Sequence, residues 1–173
     1  DTDPILGPEM KSTGEVMGTG KTFGEAYIKS QYAAGIHIPD KGKVFISVRE
    51  PDKNEKLIEL GRFLSNEKFE IIATTGTANF LNENHIECQQ INKVREGSPH
   101  IVELIKSKDI ELIINTTEGK QSIEESFSIR AEAVISGITY YTSLEAAYAT
   151  LSSFDFLGDI SVNRLQDYNI ENG

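Results

Sequence analysis

The feature that most constrains the fold is an alternation of short apolar runs with stretches of helical spacing, repeated five times after residue 42. This alternation predicts a parallel sheet, because each helix returns the chain to the end of the sheet where the next strand starts. The runs are continuously apolar, which indicates that helices cover both faces. With right-handed crossovers, the sequence predicts an α/β three-layer sandwich around a five-stranded, parallel, doubly wound sheet.

The boundaries of the segments follow from residue types and capping patterns. Strands are predicted at residues 43–48, 69–74, 88–92, 110–115 and 139–142, with an irregular stretch or an edge strand at 157–165. Helices are predicted after Thr22, after Asp52, at 77–84, after Ser98, at 122–137 and from Thr142 to residue 154. Thr22, Asp52 and Thr142 each precede a glutamate at capping-box spacing, and Ser98 precedes a proline suited to the first helical position.

The longest predicted helix carries an apolar stripe. Ile123, Phe127, Ala131 and Val134 recur at intervals of three and four residues, so they share one face. The spacing predicts that this face is buried.

The first forty residues differ in character from the rest. Residues 1–20 are rich in Gly, Pro, Thr and acidic residues and show no sustained period, which is typical of loops. Residues 35–42 contain Pro39 between two glycines and predict a linker. We therefore expect one unit at 1–40 and a second at 41–173. The chain has neither a starting methionine nor a basic leader, so we expect a piece of a longer protein.

The composition excludes several functions. A net charge of −10 argues against nucleic acid and anionic membranes as partners, and no apolar run reaches the about 18 residues of a membrane span. The single cysteine, Cys88, rules out an internal disulfide and suits a cytoplasmic protein. His37, His85 and His100 lack further ligands at metal-binding spacing, and no nucleophile is paired with a base, so neither a metal site nor a catalytic residue is predicted.

Candidate site residues follow the strands, since ligands of doubly wound sheets bind beyond the carboxyl ends of the strands. Hydroxyl, amide and glycine residues follow the second and fourth strands, as Thr74-Thr75-Gly76-Thr77 and as Asn115-Thr116-Thr117-Glu118-Gly119-Lys120. Lys53 and Lys93 follow the first and third strands. Helix starts favour anions, so the four places together predict a cradle for a phosphate dianion. The same residues are also explained as ordinary helix caps and solvated lysines, and the residues alone leave both interpretations open.

Five stretches resemble one known family in order along the chain. Residues 4–18, Pro-Ile-Leu-Gly-Pro-Glu-Met-Lys-Ser-Thr-Gly-Glu-Val-Met-Gly, look like the closing segment of the carbamoyl-phosphate-forming ATP-grasp half of carbamoyl phosphate synthetase. The stretches at 47–50 (Ser-Val-Arg-Glu), 73–78 (Ala-Thr-Thr-Gly-Thr-Ala), 92–97 (Asn-Lys-Val-Arg-Glu-Gly) and 113–117 (Ile-Ile-Asn-Thr-Thr) resemble its C-terminal regulatory domain, whose fold is shared with methylglyoxal synthase.

The resemblance implies a regulatory function. The family's enzyme makes carbamoyl phosphate from bicarbonate, glutamine-derived ammonia and two ATP, for arginine and pyrimidine synthesis, with a small glutaminase chain as partner. Its ATP, Mg²⁺ or Mn²⁺ and K⁺ belong to the parts outside this chain, so the resemblance implies no cofactor and no catalysis here. In bacterial members this domain binds UMP as inhibitor and IMP as activator, and ornithine activates at its boundary.

Residue by residue, the resemblance implies two sites. The effector phosphate is expected at Lys53, Thr74, Thr77, Lys93 and Thr117, and the ribose or base at Asn115, Lys120, Ser126 and Ile129. Ornithine is expected at Tyr140 and Thr142.

The alternative is an enzyme of the methylglyoxal synthase type, which eliminates phosphate from a triose phosphate. That reaction needs a carboxylate base beside the phosphate. Glu96 is the only acid near the third strand end, and that family's Gly-Asp-Gln motif is absent there. The sequence therefore favours the regulatory function.

Overall fold

A computed structural model describes residues 16–116, 120–151 and 153 of the 173-residue chain. The strands are β1 (Lys43–Ser47), β2 (Glu70–Thr74), β3 (Gln89–Ile91), β4 (Leu112–Asn115) and β5 (Thr139–Tyr141). The helices are α1 (Phe23–Ala33), α2 (Glu55–Asn66), α3 (Thr75–Glu83), α4 (Ile101–Lys106), α5 (Lys120–Ser136) and α6 (Leu144–Leu151). All five predicted strands are present, whereas the stretch predicted at 157–165 lies outside the described residues.

The sheet is parallel throughout and has the order β3-β2-β1-β4-β5. From the central β1, the chain first adds strands on one side and then crosses to the other side. Helices α2, α3 and α6 therefore pack on one face of the sheet, and α4 and α5 pack on the opposite face. The predicted three-layer, five-stranded, doubly wound α/β fold is confirmed.

The core consists of two apolar layers separated by the sheet. Along β1, Val44 and Ile46 point to the layer under α2, α3 and α6, while Phe45 points to the layer under α4 and α5. All three side chains are fully buried. This two-sided burial explains why the strands read as continuous apolar runs in the sequence.

The register of the central strands aligns their carboxyl ends. Ser47 at the end of β1 lies opposite Asn115 at the end of β4, and Ile46 lies opposite Ala73, one residue before the end of β2. The residues that follow these three strands therefore emerge at one edge of the sheet. The reversal of strand order between β1 and β4 opens a crevice at that edge, where ligands of such sheets bind.

One predicted helix cap is confirmed and two are wrong. The Thr22 hydroxyl accepts the amide hydrogen of Glu25, as predicted. Helix α2, however, is capped by Asn54, whose side chain accepts the amide hydrogen of Lys56 at 3.0 Å. The predicted cap, Asp52, instead ends a short 3-10 turn, Glu50–Asp52, and lies three residues before the first residue of the helix. Helix α6 begins after Ser143 rather than Thr142, since the Ser143 hydroxyl accepts the amide hydrogen of Ala146.

The predicted start of α4 at Ser98 is also wrong. The helix begins at Ile101, with His100 as the capping residue. The Glu103 carboxylate accepts hydrogen bonds from the His100 amide and the Ser98 hydroxyl, each at 3.0 Å. Ser98 is thus a partner of the first turn and not its cap.

The buried face of α5 differs from the prediction. Phe127 and Val134 are about three-quarters exposed, at 73% and 74%, whereas Ile129 and Ala133 are buried. The side chain of Ile123 lies outside the described residues. Apolar residues occur at helical spacing on both sides of this helix, so periodicity alone could not select the face that packs against α4 and β5.

Helix α1 packs against α6 at the edge of the domain. Ile28 is fully buried, and the hydroxyl oxygens of Tyr27 and Thr150 lie 3.4 Å apart. The boundary at residue 41 stays a prediction. In the part of the chain that the structure describes, no helix has the length and apolar character needed to cross a membrane.

The core layers predict a difference between two isoleucines. Ile113 in β4 is fully buried, so Ile113→Ala is expected to lower the free energy of unfolding by about 3 kcal/mol through lost packing. Ile135 on α5 is 78% exposed, so Ile135→Ala is expected to change it by less than about 0.5 kcal/mol. Urea unfolding followed by circular dichroism measures both. Equal losses for the two variants would contradict this assignment of the faces.

Candidate functional site

A cavity of about 370 Å³ opens at the carboxyl ends of β1, β2 and β4. Its residues come from the turns after these strands, from the turn after β3, from the start of α4 and from the inner face of α5. They are Phe45, Ser47, Val48, Arg49, Glu50, Lys53, Thr74, Gly76, Thr77, Lys93, Val94, Ile101, Asn115, Thr116, Ser126 and Ile129. The position is the one that the register of the sheet dictates.

Seven of the residues that the sequence singled out for an effector line this cavity together: Lys53, Thr74, Thr77, Lys93, Asn115, Ser126 and Ile129. Thr117 lies outside the described residues, and Lys120 is described only as the first residue of α5, without its side chain. Residues separated by up to 76 positions in the sequence (Lys53 to Ile129) therefore share one cavity. Their proximity does not by itself identify what binds there.

A chain of hydroxyls, buried at Thr74 and Thr77 and half-buried at Ser47, links the ends of β1 and β2. The Ser47 and Thr74 hydroxyl oxygens lie 3.1 Å apart, and Thr74 donates to Thr77 at 3.5 Å. Thr77 also accepts the amide hydrogen of Val48 at 3.1 Å. Since Thr77 accepts both of these bonds, its own hydroxyl hydrogen remains to be donated to a ligand.

The first turn of α3 faces the same cavity through Gly76 and Thr77. Thr74 is the capping residue of this helix, but its side chain gives no capping hydrogen bond to the first turn. First-turn amides have no acceptor within a helix, and the helix dipole adds positive potential at this end. This end of the cavity is therefore suited to an anion.

A second set of contacts fixes the turn after β1 against β4. The amide of Arg49 donates to the Thr116 hydroxyl at 3.1 Å, and the amide of Thr116 donates to the carbonyl oxygen of Ser47 at 2.9 Å. The Arg49 guanidinium donates to the Asp52 carboxylate at 2.8 Å. Partial burial would raise the pKa of Asp52, but hydrogen bonds from Arg49 and Thr116 outweigh it and hold the pKa below its ordinary value.

Two lysines approach the cavity from different turns. Lys53 is largely covered, with 14% of its side chain exposed, and its ammonium contacts the carboxylate of Glu50. A β-carbon added at Gly76 would lie 3.0 Å from the Lys53 ammonium, so the glycine makes room for it. Lys93 is exposed and precedes the short 3-10 turn Val94–Glu96. Together with Arg49, these cations outnumber the Glu50 carboxylate among the described lining residues and give the cavity a local positive charge in an acidic chain.

Asn115 connects the cavity to β5. Its side-chain nitrogen donates to the Ser126 hydroxyl at 3.1 Å and to the Tyr140 hydroxyl at 2.8 Å. Both amide hydrogens are then used, so Asn115 can serve a ligand only through its carbonyl oxygen. The Arg130 guanidinium lies over the Tyr140 ring at 5.3 Å from its centre. Tyr140, predicted for a separate ornithine site, does not line this cavity but is hydrogen-bonded to Asn115, which does. Thr142, the other residue predicted for ornithine, is exposed and lies just beyond β5.

The acid required by the alternative enzyme is engaged elsewhere. The Glu96 carboxylate accepts the amide hydrogen of Lys93 at 2.8 Å, and Glu96 does not line the cavity. Among the described residues, the carboxylate that lines it is that of Glu50. Within residues 16–116, 120–151 and 153, no three His, Cys, Asp or Glu side chains lie close enough together to hold a metal ion.

The cavity is also lined by Ser47, Arg49 and Glu50, to which the sequence pattern assigned no role, and by Thr116, which belongs to a predicted hydroxyl turn but was given no role of its own. The rule that candidate residues follow the strands could also have found Ser47, which lies at the end of β1. Nothing in the local sequence indicates that Glu50 pairs with Lys53, since an acid three residues before a lysine is common on protein surfaces.

Comparisons with known proteins agree with this fold and identify a family of similar sequences. Residues 56–142 match the MGS-like domain family. The chain is 47% identical over 169 residues to the carbamoyl phosphate synthase large chain of Xanthomonas axonopodis pv. citri, covering 98% of this chain and 16% of that protein. It is 46% identical over 168 residues to the carbamoyl phosphate synthase large chain, C-terminal section, of Methanopyrus kandleri, covering 95% of this chain and 31% of that protein. The chain therefore spans less than a third of either relative.

A solved structure of similar fold is methylglyoxal synthase from Elizabethkingia anophelis NUHP1. It superposes with a TM-score of 0.50 at 14% sequence identity, over 79% of this chain and 94% of that chain. At this identity the likeness concerns the fold alone. The domain match and the identity over nearly the whole chain show that this protein belongs to the MGS-like domain family, in the form found at the C-terminal end of carbamoyl phosphate synthase large chains.

Proposed function

We propose that this chain is the allosteric regulatory domain of a carbamoyl phosphate synthase large chain and that its cavity binds a nucleoside monophosphate effector such as UMP or IMP. The observation that carries the proposal is the cavity itself. It is lined by two lysines and the start of α3 and also by apolar side chains, and Lys53 lies beside Gly76 in the first turn of that helix. A nucleotide likewise combines a charged phosphate with a base whose flat faces pack against apolar side chains.

The phosphate is assigned to the end of the cavity near α3. There it receives charge from Lys53 and Lys93, the hydroxyl hydrogen of Thr77 and the first-turn amides of α3. Hydrogen bonds from charged donors are the strong ones, and phosphate oxygens accept several at once. Thr74 acts mainly through Thr77, because its hydroxyl is already bonded to Thr77 and Ser47. Thr117 is assigned to the phosphate because the sequence around it resembles that of the family.

The ribose and base are assigned to the side of the cavity under α5. Ile129 and Ser126 are buried there, and Phe45 and Ile101 add apolar surface. The carbonyl oxygen of Asn115 can accept a hydrogen bond from a ribose hydroxyl or a base N–H. Lys120 is assigned to the same side on the resemblance of the sequence.

The parent enzyme is proposed to be a glutamine-hydrolysing ligase. It forms carbamoyl phosphate from bicarbonate, glutamine-derived ammonia and two ATP, with a small glutaminase chain as partner. ATP, Mg²⁺ or Mn²⁺ and K⁺ belong to the rest of the large chain, and this domain takes no part in catalysis. We assign Tyr140 and Thr142 to an ornithine site at the boundary with that remainder, and the Asn115–Tyr140 hydrogen bond supplies a physical link between the two effector sites.

Binding of a nucleotide is expected to depend on Lys93. UMP or IMP should raise the melting temperature of the isolated domain, and Lys93→Ala should weaken binding by about ten- to a hundred-fold, because a charged donor to the phosphate is lost. Lys43→Ala removes the same charge at the opposite edge of the sheet and should leave the affinity unchanged. Calorimetric titration measures the affinities. If neither nucleotide changes the melting temperature of a folded sample, the assignment of the site is wrong.

The close approach of Gly76 to Lys53 gives a second test. In Gly76→Ala the added β-carbon lies 3.0 Å from the Lys53 ammonium, so the ammonium must move away. Because this atom ends a flexible side chain and alanine favours a helix, stability should change little while nucleotide affinity falls about five-fold or more. Glu83→Ala, at the far end of the same helix, serves as the control. Unchanged affinity in Gly76→Ala would remove Lys53 from the phosphate site.

A further inference from the structure

The contact between Glu50 and Lys53 has a role that neither the family match nor the proposed function supplies. The two residues lie in one tight turn, where the amide of Lys53 donates to the carbonyl oxygen of Glu50 at 3.1 Å. Their side chains meet as well, with the Lys53 ammonium donating to the Glu50 carboxylate. Both residues line the cavity, so the ammonium that a phosphate would need is already paired with a carboxylate.

The two partners differ in how firmly they are held. Only 14% of the Lys53 side chain is exposed, and Gly76 lies directly beside its ammonium, whereas 83% of the Glu50 side chain is exposed. Among the described residues, Lys53 is the only hydrogen-bond or ion-pair partner of the Glu50 carboxylate. Glu50 can therefore leave by rotating into solvent while Lys53 stays beside the cavity.

The neighbouring acid in the same turn behaves differently. The Asp52 carboxylate accepts two hydrogen bonds from the Arg49 guanidinium and has 18% of its side chain exposed. Asp52 thus fixes the turn, and Glu50 is the acid that is free to exchange. Water competes for the exposed carboxylate of Glu50, so this ion pair contributes little to stability. An incoming anion with several other donors can therefore displace it.

We propose that Glu50 is an internal competitor that occupies Lys53 in the ligand-free domain and is displaced by the phosphate of the effector. The proposal rests on the proposed phosphate site and adds a residue that sets the affinity of that site. A monoanion that contacted only Lys53 would replace the carboxylate of Glu50 with one similar contact, so it would gain little binding free energy. A phosphate dianion also reaches Lys93 and the first turn of α3, so it gains more than it displaces. Glu50 thereby lowers the affinity for every anion that must displace it, so that only an anion that also reaches the other donors binds tightly.

The test compares two glutamate-to-glutamine variants by calorimetric titration with UMP and with inorganic phosphate at low ionic strength. Glu50→Gln keeps the shape of the side chain and removes its charge, and it should bind both ligands about three- to five-fold more tightly than the wild type. Glu55→Gln removes the same charge two residues beyond Lys53, at the first position of α2, but breaks no contact with Lys53. Its affinities should lie within about two-fold of the wild type.

Each other outcome has a distinct meaning. Unchanged or weaker binding by Glu50→Gln would overturn the proposal and make Glu50 a residue that positions Lys53 for the ligand. An equal gain in Glu50→Gln and Glu55→Gln would overturn it in favour of a general effect of negative charge at the cavity mouth. If neither the wild type nor either variant binds UMP or phosphate, the proposed function and this inference are both wrong.

Discussion

The parallel pairing of β1 with both β2 and β4 is the constraint on which the rest of the structure depends. It places Ser47 opposite Asn115 and brings the end of β2 to the same edge. The order of the strands reverses between β1 and β4, so the helices diverge to opposite faces and leave a crevice above these ends. A one-residue shift of β1 would turn Phe45 into the wrong core layer, and the apolar layers therefore hold the geometry of the cavity.

The cavity is largely built by contacts that do not need a ligand. The hydroxyl chain from Ser47 through Thr74 to Thr77 and the Arg49–Thr116 contact fix the backbone around it. Donors that are already in place lose little freedom when an anion binds, which favours affinity. The Glu50–Lys53 pair is the exception, because an anion that binds Lys53 would have to replace an existing contact. In the proposed function this balance suits the site, since an effector has to leave as well as bind.

The hydrogen bonds of Asn115 connect the cavity to α5 and β5. Ser126 belongs to α5, Tyr140 belongs to β5, and both bind the same amide nitrogen. A ligand that engages the carbonyl oxygen of Asn115 acts on both elements at once. Coupling between sites requires an element that can adopt two arrangements. In the proposed function, α5 and β5 carry the signal towards the rest of the large chain.

The sequence by itself determined the class of fold, the five strands and the clustering of Thr74, Thr77 and Asn115 at one edge. These follow from local periodicity and from the direction of the chain, which fixes where parallel strands end. Only the tertiary structure decided that Ile129 and not Phe127 of α5 is buried, that Asn54 and not Asp52 caps α2, and that Glu50 meets Lys53 beside Gly76. The burial of Ile129 depends on which side of α5 packs against the sheet, and a helix with apolar residues on two sides carries no local signal for that choice. The contacts of Asn54 and Glu50 depend on the course of the backbone in the turn after β1, and a turn with two acids does not show by itself which acid meets the lysine.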